Sequence, residues 1–282
     1  MLFDAVNFHL WKPCNYRCKF CFATFGDVPG RLTRDEARRV VALVAPLTDK
    51  ITFVGGEPTL CPFLGDLIDD AHAAGLATCV VSNGERLGPL ILQHAAALDW
   101  VGLSVDTADE AISTQLGRGT GNHVRRSIAL AELARAHGVR VKLNTVVTAL
   151  NHDEDLSELV RAIRPDRWKV FQVLPVAGQN DGKVEPLLID AAQFRAYVAR
   201  HAHLAAEGFE PIPEDNADMT GSYVMIDPMG RFFDNVDGRL VYSPAILDVG
   251  VEAAFAHVRW ERERLVARGG LYAWRRTGQA AR

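Results

Sequence analysis

The chain has 282 residues, 48% of them hydrophobic and 23% charged, with a formal net charge of −4. That length and apolar content suffice to bury a full core as one α/β unit, while the slightly acidic balance excludes a general attraction to nucleic acid or anionic membranes, so any polyphosphate site must be a local cluster of Lys and Arg. Five cysteines form no disulfide framework and suit the reducing cytoplasm, and with a strand-like N-terminus and no long apolar run we expect neither a signal peptide nor a membrane span.

Residues Val6 to Trp11 alternate Val6, Phe8 and Leu10 with Asn7, His9 and Trp11, the period of a strand with two different faces. The octet Cys14-Asn15-Tyr16-Arg17-Cys18-Lys19-Phe20-Cys21 follows directly. Three thiolates this close can grip one inorganic centre. A [4Fe–4S] cube usually takes four cysteines, so a C-x3-C-x2-C set leaves one iron open to bind a reactant. A zinc knuckle would need a second pair of ligands that nothing downstream supplies, and chance clustering explains poorly why only Cys61 and Cys79 lie elsewhere.

Thr33-Arg34-Asp35-Glu36 is a capping box, and Val40, Val41 and Val44 keep helical spacing until Pro46. The unit then recurs. Strands are predicted over 51–54, 78–81, 101–105, 140–147 and 168–173. Helices are predicted over 63–74, 87–97, 108–116, 123–136 and 153–163. Six strands alternating with helices argue for parallel βα units. Polar residues recur on one strand face: Asn7 and His9, then Gly102, Ser104 and Asp106, then Lys142 and Asn144, then Lys169 beside Phe171. An edge strand with a solvated face explains one such pattern; several favour a ligand-filled lumen. Residues 175–186 show no periodicity and read as a linker.

Reactive groups of parallel barrels gather in loops after the strands' C-terminal ends. Those ends carry Gly55-Gly56-Glu57-Pro58, Ser82-Asn83-Gly84 and Ser104, with Gly117-Arg118-Gly119 further on. Each alone is also an ordinary turn or loop.

The octet, with aromatic Phe20 before its third cysteine and Gly-Gly-Glu-Pro one strand later, resembles the signature of the radical S-adenosylmethionine (SAM) superfamily. The resemblance implies an open, partial (β/α)6 barrel. It implies a [4Fe–4S] cluster on Cys14, Cys18 and Cys21 whose open iron chelates SAM, and reductive cleavage of SAM to a 5′-deoxyadenosyl radical. SAM would be met by Phe20, Gly55, Gly56 and Glu57, by Ser82, Asn83 and Ser104 at ribose and adenine, and by Arg118 at its carboxylate.

Five further segments narrow the resemblance: Val6-Asn7-Phe8-His9-Leu10, Arg167-Trp168-Lys169-Val170-Phe171-Gln172, Ser222-Tyr223-Val224-Met225-Ile226-Asp227, Ile246-Leu247-Asp248-Val249-Gly250-Val251 and Arg268-Gly269-Gly270. They resemble the viperin family of antiviral nucleotide dehydratases almost end to end. That implies conversion of a ribonucleoside triphosphate (CTP, UTP or GTP) to its 3′-deoxy-3′,4′-didehydro analogue, by removal of the C4′ hydrogen and loss of the 3′-hydroxyl as water. The product would stop viral, here phage, RNA chains. An electron donor such as flavodoxin or ferredoxin is implied, and no direct contact with nucleic acid.

On this reading residues 1–185 are the barrel and 186–282 a C-terminal α+β extension packed on it and closing the active site. Lys142, Lys169 and Arg268 would hold the triphosphate, with Gly269 and Gly270 as an anion nest; the same residues also fit a helix C-cap. Asn144, Asn7 and His9 would touch ribose, phosphate or base, and Tyr223 would stand by the ribose for proton delivery or serve as a core tyrosine in a hairpin. Vertebrate viperins carry a membrane-binding helix ahead of the barrel; this sequence opens on the first strand, so we expect lipid-surface localisation not to carry over. Other radical SAM activities on peptides or nucleotides commonly add C-terminal cysteines, and none follows Cys79. A non-catalytic iron–sulfur carrier would normally complete four-cysteine ligation.

Overall fold

A computed structural model describes residues 1–275. Six strands, β1 (Ala5–Trp11), β2 (Lys50–Gly55), β3 (Ala77–Ser82), β4 (Trp100–Ser104), β5 (Arg140–Val147) and β6 (Arg167–Gln172), pair in parallel in chain order. Between them run α1 (Arg34–Val44), α2 (Leu64–Ala73), α3 (Leu87–His94), α4 (Glu110–Gln115), α5 (His123–Ala136) and α6 (Ser157–Ile163). The alternation led us to expect parallel βα units, and this is the (β/α)6 arrangement that the resemblance implies.

Both open edges of that sheet are extended by the C-terminal part. β7 (Pro211–Glu214) joins β6 in parallel; β8 (Met225–Ile226) joins β1 in parallel and continues antiparallel into β9 (Arg231–Asp234) and β10 (Val241–Ala245). One ten-stranded sheet results. An open partial barrel exposes two rows of unpaired backbone groups, and the extension covers them.

Local signals place the elements. Thr33 Oγ1 accepts from the Glu36 N–H while the Glu36 carboxylate accepts from the Thr33 N–H, and the stripe Ala37, Val40, Val41 and Val44 then buries against the sheet. On β1, Val6, Phe8 and Leu10 are buried in the main core, which leaves Ala5, Asn7 and His9 on the lumen side.

Two expectations are corrected. The helix expected from residue 153 starts at Ser157, because the preceding side chains have other partners: Glu154 accepts from the Thr107 hydroxyl and Asp155 from the Ser157 N–H and hydroxyl. The segment 175–186 is more than a linker. Asn180 Nδ2 donates to the carbonyls of Phe20 and Leu174, its Oδ1 accepts from the Val176 N–H, and Gln179 Oε1 accepts from the Phe25 N–H. Irregular backbone without hydrophobic periodicity is thereby tied to the cysteine loop.

Candidate active site

The lumen is a cavity of about 690 Å³, in the size range of ligand sites. Cys14, Cys18, Cys21 and Phe20 line it at the strands' C-terminal ends, together with Gly55, Gly56, Glu57, Ser82, Asn83, Ser104 and Arg118. Asn7, His9, Lys142, Asn144, Lys169, Tyr223, Arg268 and Gly270 line the remainder. The residues singled out in sequence therefore meet in one cavity, with Gly269 just outside its wall.

The cysteine loop is held from three sides. The Gly56 and Glu57 N–H groups donate to the carbonyls of Trp11 and Pro13, and the Arg17 and Lys19 N–H groups donate to those of Gly117 and Leu116. Asn83 Nδ2 donates to Asn15 Oδ1 at 2.8 Å. At Gly56 an added Cβ would strike the Lys12 carbonyl, and at Gly117, where φ is +83°, it would strike that of Arg17. The close approach these glycines permit in the structure is to the chain's own cysteine loop.

All five thiols are free. Burial pushes the Cys14, Cys18 and Cys21 thiols up, Cys18 to about 12, and the Arg118 guanidinium pulls each back. Arg118 is itself fixed by an ion pair with fully buried Asp106 and lies 5.3 Å from the centre of the Phe20 ring. Three thiols on one lumen wall beside a buried cation form a soft sulfur donor set that suits an iron–sulfur cluster and lacks a fourth cysteine, since Cys61 lies in the core and Cys79 on β3. Among the described residues no three His, Cys, Asp or Glu side chains form a single-ion site. The donor set fits the cluster.

Glu57 is buried and accepts from the Thr59 N–H and hydroxyl, the Ser82 hydroxyl and the Asn83 N–H. Burial pushes its carboxyl up against those bonds. The same bonds join the ends of β2 and β3 beneath the cysteine loop. Ser104 contributes its carbonyl to His123 Nε2, which must therefore carry the proton, and burial drives the His123 imidazolium down to about 3. His9 is likewise neutral, pushed to about 3 by burial among Phe22, Phe25 and Phe233, and among the described residues its Nδ1 has no partner.

The opposite end is cationic. Lys50, Lys142, Arg167, Lys169 and Arg268 all reach the lumen there. Sequence reasoning missed Lys50 and Arg167. Each stands two residues before a lumen-facing position, Thr52 or Lys169, so period-two alternation extended by one residue at the strand start would have found them. The strands predicted from 51 and 168 begin one residue late and leave Lys50 and Arg167 outside them.

Residues 269–275 cross beneath this end. Lys50 Nζ donates to Tyr272 Oη at 2.5 Å, Trp100 Nε1 to the Trp274 carbonyl at 2.8 Å, Arg140 Nη1 to the Ala273 carbonyl at 2.7 Å and Arg275 Nη2 to the Gly75 carbonyl at 2.6 Å. The Arg167 guanidinium lies 4.2 Å from the Tyr272 ring centre and donates to the Gly269 carbonyl. The extension closes the barrel floor, as expected.

The anion nest is overturned. After the helix Arg262–Ala267, the Gly269 N–H donates to the Val266 carbonyl and the Gly270 N–H to that of Leu265, a Schellman cap with Gly269 at φ +66°. Both N–H groups are consumed by the helix end. Arg268 enters the floor from this cap: its Nη1 reaches Glu214 at 3.1 Å, its Nη2 the Ser222 carbonyl, and its guanidinium stacks 3.7 Å from the Tyr223 ring centre. Tyr223 is in no hairpin. It precedes β8, donates its hydroxyl proton to Glu214 and accepts from Lys169 Nζ at 2.8 Å.

Glu214, at the end of β7, was also missed. It is fully buried and ion-paired with Lys169 and Arg268. Burial alone would raise its carboxyl, but those two charges outweigh it and hold it below the usual carboxylate value. Lys169 is itself pushed down by burial, yet the pair's proton stays on the amine, because a carboxylate flanked by two cations is the weaker base.

The sequence pattern of the Radical SAM superfamily matches residues 11–163. A protein of Flammeovirga pacifica named S-adenosylmethionine-dependent nucleotide dehydratase is 43% identical over 285 residues, covering 97% of this chain and 97% of its own. One of the same name from a Thermoplasmatales archaeon (strain ISO4-H5) is 32% identical and covers 96% of each chain. S-adenosylmethionine-dependent nucleotide dehydratase RSAD2 of Oncorhynchus mykiss is 34% identical over 96% of this chain and 80% of its own. Among solved structures, native anSMEcpe with bound AdoMet aligns with a TM-score of 0.69 at 16% identity over 90% of this chain and 80% of that one. SuiB of Streptococcus suis bound to S-adenosylmethionine aligns at 0.68 and 17% over 82% and 60%. At such identities the two structures speak for the fold alone.

Proposed function

We propose, because this chain belongs to the radical SAM superfamily and within it to the S-adenosylmethionine-dependent nucleotide dehydratases of the viperin family, that its lumen takes a ribonucleoside triphosphate with the phosphates on the cationic floor and the ribose towards the thiol end. The observation that carries this reading is the charge imbalance of the floor: among the described residues five cations reach it, against the carboxylates of Glu214 and Asp218. Buried cations in such surplus are unfavourable alone and suit a ligand bearing about four negative charges. Among the described residues the Nε donors of Arg167 and Arg268 and the Ser222 hydroxyl are buried there without partners. From Lys50 to Val54, both on the lumen, β2 rises about 13 Å, room for an extended ligand between floor and thiols.

Cys14, Cys18 and Cys21 hold the [4Fe–4S] cluster on this reading. When bound, the cluster and SAM supply a 5′-deoxyadenosyl radical. Phe20, Gly55, Gly56, Glu57, Ser82, Asn83, Ser104 and Arg118 surround the SAM, and Asn7, His9 and Asn144 stand between it and the floor. The nucleotide loses its C4′ hydrogen and its 3′-hydroxyl. That hydroxyl departs as water only if its oxygen receives a proton, and the relay we assign is Tyr223, which would turn its proton from Glu214 to the leaving oxygen and take another from Lys169 Nζ. A product without a 3′-hydroxyl terminates RNA chains, which supports an antiphage role. Two electrons must come from outside, from a flavodoxin- or ferredoxin-type donor: one for reductive cleavage of SAM and one for the nucleotide radical as its 3′-hydroxyl leaves as water. No helix among the described residues is long and apolar enough to cross a membrane, and five free thiols support a cytoplasmic location.

Anaerobic incubation of the reconstituted protein with SAM, a reductant and each ribonucleotide tests the reading. We expect 5′-deoxyadenosine release stimulated by one triphosphate; release indifferent to all of them would refute it. Binding should also depend on pH. Burial lowers the Lys50 ammonium to about 8, and a bound polyphosphate would raise it again, so binding takes up a proton above that pH. Affinity should be flat below pH 8 and fall about tenfold per unit above it. Equilibrium titrations at pH 7 and pH 9 that agree would remove Lys50 from the site.

A further inference from the structure

The lumen wall at the floor is built from side chains of separate elements: Lys169 from β6, Tyr223 from the turn before β8, and Arg268 from the cap after the helix Arg262–Ala267. Their polar ends converge on one carboxylate that is itself fully buried. Glu214 Oε1 pairs with Lys169 Nζ and Arg268 Nη1, and Oε2 accepts from the Tyr223 hydroxyl. We propose that Glu214 is the positioning residue of the polyphosphate floor, standing behind Lys169, Tyr223 and Arg268 and fixing all three in the geometry they present to the ligand. The proposal rests on the triphosphate reading of the same cavity.

The physical case follows from what each of the three would do without it. Lys and Arg side chains carry several rotatable bonds, and aiming them in advance removes that ordering cost from the binding step. Tyr223 has one proton to place, and the carboxylate sets its direction while Lys169 Nζ occupies the oxygen. Charge matters as well as aim. The groups facing this cluster are Lys142 from β5, Arg167 from β6, Asp218 from the helix Asn216–Met219, and Tyr272. Burial, Arg268 and Lys142 all disfavour the Lys169 ammonium, and Glu214 is its counter-charge. With a neutral amide in place of the carboxylate, the Lys169 ammonium loses that counter-charge and is disfavoured further, more so as pH rises.

That gives a signature which simple loss of packing does not produce. The test compares wild type, Glu214→Gln and Glu214→Asp as cluster-loaded proteins, with iron content as the check on folding. Binding of inorganic tripolyphosphate and of the activating nucleoside triphosphate is titrated at about pH 6 and about pH 7.5, both below the Lys50 transition. Glu214→Gln should bind both ligands about ten- to a hundredfold more weakly than wild type at the higher pH, the worth of one charged hydrogen bond, and recover most of that at the lower. Glu214→Asp, which keeps the charge, should stay closer to wild type at both. Wild-type affinity in Glu214→Gln, or an equal loss at both pH values in both variants, would overturn the positioning role. Wild type binding tripolyphosphate but no nucleotide would instead sink the triphosphate reading while leaving Glu214 testable on the inorganic ligand; wild type binding neither would refute both.

Discussion

Cys18→Ala should lose its iron and at least a hundredfold of SAM cleavage, whereas Cys61→Ala and Cys79→Ala should keep their iron. Changes one shell away from a metal already cost about 10–100-fold, and this one removes a ligand from a set of three that has no spare. Cys18 also sits where the loop is tightest: its sulfur is 3.8 Å from the Gly117 carbonyl, and the backbone on either side of it is bonded to Gly117 and Leu116. Cys61 is packed in the main hydrophobic core and Cys79 lies within β3, so truncating either leaves a small cavity of about 1 kcal/mol. Iron content and 5′-deoxyadenosine yield after single substitutions measure this. An equal loss of iron in Cys61→Ala and Cys18→Ala would end the three-ligand account.

Lys142→Ala, Lys169→Ala and Arg268→Ala should each weaken triphosphate binding by about ten- to a hundredfold, since each removes a charge-assisted hydrogen bond of roughly 1.5–3 kcal/mol, with iron content unchanged. Lys142 is the cleanest of the three, because among the described residues no ion pair engages it and its removal strands no partner. Lys169 and Arg268 share Glu214, so their double variant should depart from additivity, while Arg268→Ala combined with Lys142→Ala should not. Lys169→Ala and Arg268→Ala should also lower stability, each leaving the buried carboxylate with one cation fewer. Monophosphates should bind more weakly than triphosphates in wild type, and the gap should narrow in Lys169→Ala. Titrations of the nucleoside, monophosphate, diphosphate and triphosphate against the four proteins decide it. Equal affinity of wild type for nucleoside and triphosphate would show that the basic floor serves the fold.

The sequence by itself determined what depends on spacing along the chain. The cysteine octet is one short loop, and no folding is needed to see that its thiols can reach one centre. Strand and helix order followed from periodicity, and alternation on β1, β5 and β6 was enough to turn Asn7, His9, Lys142, Asn144 and Lys169 towards a lumen, because a strand's side chains must alternate. Arg268-Gly269-Gly270 was legible in two ways, as nest or as helix cap, and the backbone N–H groups can serve only one at a time. The choice fell to the Schellman bonds to Val266 and Leu265, which depend on where the last helix ends. Glu214 was not legible at all. In Pro-Glu it looks like any loop carboxylate, and only the pairing of β7 with β6 carries it beside Lys169 while the last helix delivers Arg268 to its other side. Burial turns such a side chain from a solvated charge into the common counter-ion of a site, and burial is a property of packing among distant segments that no local pattern encodes.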